Sequence, residues 1–372
     1  MTEDQRLDRI RGCLLGGAIG DALGWPVEFQ RLDRILDDHG PEGVTRLVLR
    51  TGGGGLAEVT DDTQMTLFTA EGLLLAKDTG PDTVVGAVHA AYQRWFLTQR
   101  LPGPTADNLD AEGTLLREPW LYASRAPGNA CISGLVENPQ VPSIVTTGRT
   151  GVVNPDSKGC GTVMRSAPFG LLGLGPEQAF RLAADCAQLT HGHPTGAVAA
   201  GAFAALVDRL VDGIEPAEAV RRTIAQTAAQ PGGAETVTAL NRAVNLAGSG
   251  APGSDAAGSD APGSNAAGFD LVEQVGLGWI AEECLAIAVH CLLAAAPGPG
   301  ATGADLRRAL TLSVTHSGDS DSTGAVCGNL LGAAYGLAAL PGDWAVQVEG
   351  RDTLLATGES LYARSAAPDQ EF

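Results

Sequence analysis

Basic residues are scarce in this sequence. It has 24 Lys and Arg against 43 Asp and Glu in 372 residues, a formal net charge of −19. That shortage excludes a broad phosphate-backbone surface, which needs clustered Lys and Arg. It does not exclude a nucleic-acid end group entering a pocket. No apolar run approaches the ~20 residues that cross a bilayer, so no membrane span is expected. The opening MTEDQRLDRIRG mixes both charge signs and lacks a signal-peptide apolar stretch, so a cytoplasmic setting is expected. The seven cysteines, at 13, 131, 160, 186, 284, 291 and 327, are odd in number and contain no CxxC pair. Reduced, mostly buried thiols are therefore expected. Cys284 and Cys291 fall two helical turns apart on one face, a spacing that suits core more than zinc. Strand-like alternation is nearly missing. Val44–Leu49 is the best candidate, and it is short.

What is present is helical. Hydrophobic residues make up 44% of the chain and mean hydropathy is +0.06, enough for a sizeable core. Apolar residues recur at helical spacing over roughly 4–23, 61–77, 82–98, 177–190, 195–212, 216–228, 234–246, 279–295, 303–313 and 323–340. An all-α fold follows. Three gaps separate these segments. Residues 99–160, rich in Pro, Gly and Asn, are expected to form an ordered irregular region over the site. Residues 41–59 carry Gly52–Gly55, a flexible approach to the next helix. The third gap holds a ten-residue near-duplicate, APGSDAAGSD at 251–260 and APGSNAAGFD at 261–270. Such composition cannot bury a core, so 247–269 reads as a disordered low-complexity insertion within a single domain spanning 1–372.

Two acidic motifs each precede an apolar helical run. Thr60-Asp61-Asp62-Thr63-Gln64 follows a glycine-rich loop, and its Thr or Asp would cap a helix. Adjacent carboxylates beside a hydroxyl exceed what a cap needs and offer three hard oxygen ligands within one turn. His316-Ser317-Gly318-Asp319-Ser320-Asp321-Ser322-Thr323-Gly324 is the second. Asp319 and Asp321 would diverge by about 200° on a helix, so they converge only if 318–322 is a turn opening it. The motif is no EF-hand, which needs further ligands and a distal Glu. If the two motifs meet, four carboxylates would repel one another, and divalent cations would remove that conflict. Oxygen-only ligands point to Mg²⁺ or Mn²⁺, and a pair of them could orient a sugar diol and activate water.

Two further segments read as ligand cradles. Ser157-Lys158-Gly159-Cys160-Gly161-Thr162-Val163-Met164-Arg165 is glycine-punctuated, so backbone N–H groups could approach a diphosphate, though it lacks the P-loop order. In Thr190-His191-Gly192-His193-Pro194-Thr195-Gly196 the histidines could bind phosphate or cap a helix.

These motifs, with the glycine-rich run Gly12 to Gly24, occur in one order over about residues 10–340 and together resemble the ADP-ribosylglycohydrolase family. The resemblance implies an orthogonal multi-helix bundle with a dinuclear Mg²⁺ or Mn²⁺ site. It implies Thr60, Asp61, Asp62, Asp319, Asp321 and Ser322 as metal ligands. It places Ser157, Gly159, Gly161, Met164 and His191 against ADP-ribose, with Trp279, in the stretch Gly276–Glu283, near the ribose or base. Glu28 matches an acidic position near the metals, and Asp61, Asp62 and Glu28 are the catalytic candidates. The implied reaction removes ADP-ribose from a protein or small-molecule conjugate by a monomeric enzyme. GDSDST and THGHPTG are closer to the arginine-specific branch than to the serine branch. Serine, acetyl-ester and nucleic-acid base linkages, or a non-catalytic ADP-ribose binder, are the alternatives; a nucleic-acid target is not favoured.

Overall fold

The computed structural model describes residues 2–50, 55–109, 112–249, 264–296, 298 and 300–366. It is all α-helical, with no sheet among the described residues. The helices are α1 (Glu3–Gly24), α2 (Leu32–His39), α3 (Asp61–Leu75), α4 (Pro81–Thr98), α5 (Ala106–Leu109), α6 (Asn129–Glu137), α7 (Pro176–Ala187) and α8 (Pro194–Val211). They continue with α9 (Pro216–Ala228), α10 (Ala234–Ser249), α11 (Ser264–Val275), α12 (Ala281–Ala295), α13 (Gly303–Val314), α14 (Ser320–Tyr335), α15 (Gly342–Ala345) and α16 (Arg351–Ala366).

Local chemistry sets the starts. Proline stands at the first position of α4, α7, α8 and α9, where its missing N–H costs nothing and its fixed φ suits a helix. Thr2 with Gln5, and Thr302 with Asp305, form reciprocal capping boxes for α1 and α13. One hydrophobic core runs from Ile10 to Leu361. Helix α8 is long and apolar enough to cross a bilayer, yet 94% of it is buried inside the protein, so it is a core helix.

The contact that organises the site is α1 against α14. They run antiparallel, with Gly12 facing Gly332, Gly16 facing Gly328, Gly20 facing Gly324 and Gly24 facing Ser320. A Cβ at Gly20 would lie 1.9 Å from Gly324 O, and one at Gly328 would lie 1.9 Å from Gly16 O. Backbone therefore meets backbone, and no larger residue fits at either position. The recurrence of glycine every fourth residue in 12–24 has this physical cause. Its consequence is to bring the end of α1 against the first turn of α14.

Three expectations are corrected. Val44–Leu49 is not a strand; Leu49 makes one isolated bridge, to Ala57. The backbone of Val44 is satisfied instead by α13, its N–H donating to Thr315 Oγ1 and its carbonyl accepting from Thr311 Oγ1. The insertion expected over 247–269 lies outside the described residues at 250–263, but its flanks are helical. Residues 264–269 open α11, and Phe269 is fully buried beside Gly43. Helix α14 starts at Ser320 and ends at Tyr335, where Gly336, with φ +86°, stops it short of the expected 340.

Candidate active site

Three helix ends converge. At α3, Thr60 Oγ1 accepts the N–H of Asp62 at 3.3 Å, which makes Thr60 the cap. Asp61 and Asp62 fill the first turn and are buried. Asp21, near the end of α1, binds the same helix start. Its carboxylate accepts the Thr60 N–H at 3.0 Å, the Thr63 N–H at 3.2 Å and the Thr63 hydroxyl at 2.5 Å. At α14, Asp319 stands at the cap position without making a side-chain cap bond, and Asp321 and Ser322 lie in the first turn. Ser322 Oγ donates to Asp62 Oδ1 at 3.3 Å, joining motifs 260 residues apart. The two N-termini turn partial positive charge toward these carboxylates.

Glu28, just after the short 3-10 turn Trp25–Val27 that follows α1, completes the cluster. Carboxylate oxygens of Glu28, Asp319 and Asp321 all lie within 4.8 Å of one another. Burial is the main force on all of them. It pushes Asp61 and Glu28 up to about 8, with like charges adding for Glu28 from Asp319 and Asp61. Asp62 and Asp321 are held well above the usual carboxylate range, and Asp319 is raised too. Burial lifts Asp21 to about 6 even though Thr63 and Thr60 hydrogen bonds oppose it. Asp62 Oδ2 is buried with no hydrogen-bond partner. An orphaned carboxylate oxygen beside three converging carboxylates calls for positive charge, and an all-oxygen donor set fits a hard divalent cation.

The cluster forms one end of a cavity of about 370 Å³. Another wall is the turn holding Gly159, Cys160 and Gly161. His191 Nε2 lies 3.3 Å from where a Cβ would sit at either glycine, so a side chain at either position would crowd that nitrogen. Cys160 Sγ donates to Asp319 Oδ2 at 2.7 Å, tying this turn to α14. Met164 Sδ is 3.9 Å from Ser322 Oγ. His193, by contrast, caps α8 by accepting the Thr195 N–H at 3.2 Å. Lys158, the basic residue of the turn, is held by Glu235 and Glu282.

At the mouth, Trp279 stacks on Phe29 with ring centroids 5.0 Å apart. Phe29 is 72% exposed and has φ +66°, a rare conformation for a residue with a side chain. Residues 126–131 close the remaining side, and Gly128 N–H donates to Asp61 Oδ2 at 3.1 Å. Arg125 anchors that segment through Glu349, Glu58 and the carbonyl of Val59.

Of the residues the sequence pointed to, Glu28, Asp61, Asp62, Asp319, Asp321 and Ser322 line the cavity at its acidic end. Ser157, Gly159, Gly161, Met164, His191 and Trp279 line it elsewhere. Thr60 does not; it is buried behind Asp62. Sequence reasoning gave Asp21, Phe29 and 126–131 no role. A carboxylate in the apolar run of α1 was the available signal for Asp21; nothing comparable marked the others.

A protein-family model described as ADP-ribosylglycohydrolase matches residues 2–371. The zebrafish (Danio rerio) ADP-ribosylhydrolase ARH3 is 25% identical over 380 residues, covering 96% of this chain and 90% of that protein. The ADP-ribosylarginine hydrolase Tri1 of Pseudomonas putida is 44% identical over 75 residues, 19% of this chain and 18% of that one. Among solved structures, an ADP-ribosylglycohydrolase-related protein complex shares the fold with a TM-score of 0.60, 24% identity and coverage of 97% of this chain and 99% of that chain.

Proposed function

The chain belongs to the ADP-ribosylglycohydrolase family, whose members act on ADP-ribosylated substrates, and from that premise we propose a metal-dependent hydrolase that frees ADP-ribose from arginine side chains of modified proteins. The observation that carries the reading is the cavity itself. Its acidic end suits a sugar diol with cations, and its Gly159–Gly161 wall, with His191, suits a diphosphate. The arginine linkage is supported by the Tri1 relative and by the GDSDST and THGHPTG motifs.

Asp61, Asp62, Asp319, Asp321 and Ser322, with Glu28 beside them, would hold two Mg²⁺ or Mn²⁺ ions. When bound, such cations neutralise the clustered carboxylates, grip ribose hydroxyls and make water a better nucleophile at neutral pH. The chain's own groups do the rest. Asp61 or Asp62 accepts the proton of the attacking water as its oxygen bonds to the anomeric carbon. The carbon–nitrogen bond breaks, and the guanidine nitrogen takes a proton from an acid. Glu28 suits that acid role because it alone of the five carboxyls is half-buried and can exchange protons with solvent. Carboxylates around the ring stabilise the positive charge that develops on the sugar. Gly128 holds Asp61 in orientation. A reducing, cytoplasmic setting belongs to the same reading, since all seven cysteines are unpaired and only Cys160 is not buried.

The test is a panel of single defined linkages: ADP-ribosylated arginine and serine peptides, O-acetyl-ADP-ribose and a base-modified oligonucleotide, with ADP-ribose release measured by mass spectrometry. Fastest release from arginine is expected. Faster release from another linkage rejects arginine and leaves the family chemistry in place. Binding of ADP-ribose without turnover on any of them would make the protein a reader.

A further inference from the structure

His191 reaches the cavity with one ring nitrogen while the other is tied into the core. Its Nδ1 is 2.7 Å from Thr190 Oγ1, and Thr190 Oγ1 is 2.7 Å from Arg165 Nη2. Arg165 is fully buried, lies over the Tyr92 ring at 4.5 Å and directs its other terminal nitrogen at the Cys131 and Met65 sulfurs. A guanidinium only donates, so Thr190 Oγ1 must accept from it. The Thr190 hydroxyl proton then has one acceptor among the described residues, His191 Nδ1. Were Nδ1 protonated instead, Thr190 would accept twice and its own proton would be buried without a partner.

We infer that the Arg165–Thr190–His191 relay locks His191 in the Nε2–H tautomer, so that the cavity presents a neutral N–H donor to an anionic oxygen of the ligand. Nε2 makes no hydrogen bond to the described protein, and the gap left by Gly159 and Gly161 faces it. Burial, followed by the Arg165 charge, holds the imidazole down to about 3, so His191 is neither a cation nor a base at neutral pH. Thr190 and Arg165 are positioning residues. The identity of the ligand, ADP-ribose through its diphosphate, rests on the function proposed above; the tautomer does not.

The experiment uses the full chain labelled with ¹⁵N-histidine. Long-range ¹H–¹⁵N spectra report the His191 tautomer, and calorimetry with ADP-ribose reports affinity, for wild type, Thr190→Val and Thr190→Ser. The expected results are a single Nε2–H form in wild type and Thr190→Ser, with affinities within about two-fold of each other. Thr190→Val should give mixed tautomers and roughly ten-fold weaker binding, about 1.4 kcal/mol. An Nδ1–H or charged His191 in the wild type overturns the relay, and this readout stands even if Thr190→Val does not fold. A folded Thr190→Val with an unchanged tautomer overturns it as well. A correct tautomer in a wild type that does not bind ADP-ribose keeps the relay and rejects the ADP-ribose reading.

Discussion

Replacing Gly328 by alanine tests whether the α1–α14 contact sets the site. The new Cβ would lie 1.9 Å from Gly16 O and 2.5 Å from Gly16 C, against roughly 3.5 Å for an ordinary contact between carbon atoms. Both neighbours are backbone, so no side chain can turn aside and the helices must part by more than ~1 Å. Overpacking of this kind costs about 1–3 kcal/mol, and a backbone clash belongs at or beyond the upper end. Alanine recovers about 1 kcal/mol of helix propensity. The net loss is then about 2–3 kcal/mol, or roughly 3–4 °C in melting temperature for a chain of this size. Turnover should fall further than stability, because α14 carries Asp319, Asp321 and Ser322 and a ~1 Å displacement of reacting groups can cost ~100-fold. Gly86→Ala is the control. Gly86 lies within α4, and a Cβ there meets nothing within 4 Å, so the same change should stabilise by about 0.5–1 kcal/mol. Urea unfolding followed by circular dichroism reads both. A Gly328→Ala protein as stable and active as wild type would refute the close-packed contact as the organiser of the site.

Other perturbations separate core, surface and charge. Asp208, buried on α8 outside the cavity, is raised to about 7 by burial and then by Asp212. Its folded value exceeds the unfolded one, so the wild type gains stability as pH falls from about 7 toward 4. Asp208→Asn should therefore melt several degrees higher than wild type at pH 8, with the gain shrinking toward pH 5 and turnover unchanged; a gain that does not vary with pH counts against the assignment. Phe269→Ala should cost about 3–5 kcal/mol, because the ring is fully buried where α11 packs beside Gly43. Replacing the low-complexity residues 250–263 by a shorter Gly/Ser linker should leave stability and turnover nearly unchanged. A linker variant that unfolds or loses activity would show that this segment packs on the domain.

Helices with a broad apolar face, or proline at the first position, were legible in the sequence. Those with little to bury were not. Helix α16 buries only Leu354, Gly358 and Leu361, too sparse a pattern to stand out. Helix α11 opens inside the repeat, whose composition hid the apolar positions Phe269, Val272 and Val275. The start of α14 was placed late because its first turn is polar, and those polar residues line the acidic end of the cavity. The acidic motifs were legible because adjacent carboxylates exceed what capping needs. Asp21 and the Arg165–Thr190–His191 relay were not, since their meaning lies in partners that only the fold brings near. Thr60 caps α3 by accepting the Asp62 N–H, a bond that uses one of the two lone pairs of its hydroxyl.

The most direct test of the central claim compares wild type with Asp321→Asn on an ADP-ribosylated arginine peptide, with Mg²⁺ and with chelator, alongside melting curves. Asparagine keeps the shape and removes one of the mutually repelling buried charges, so the variant should fold and melt in chelator at or above the wild-type temperature. Mg²⁺ should raise the melting temperature of the wild type and raise that of the variant far less, because a carboxylate ligand is gone. The account predicts that the wild type releases ADP-ribose only with the cation, and that Asp321→Asn loses turnover by two or more orders of magnitude while folded (about 3 kcal/mol of barrier or more). Full release by the wild type in chelator, or near-normal release by the variant, would contradict it.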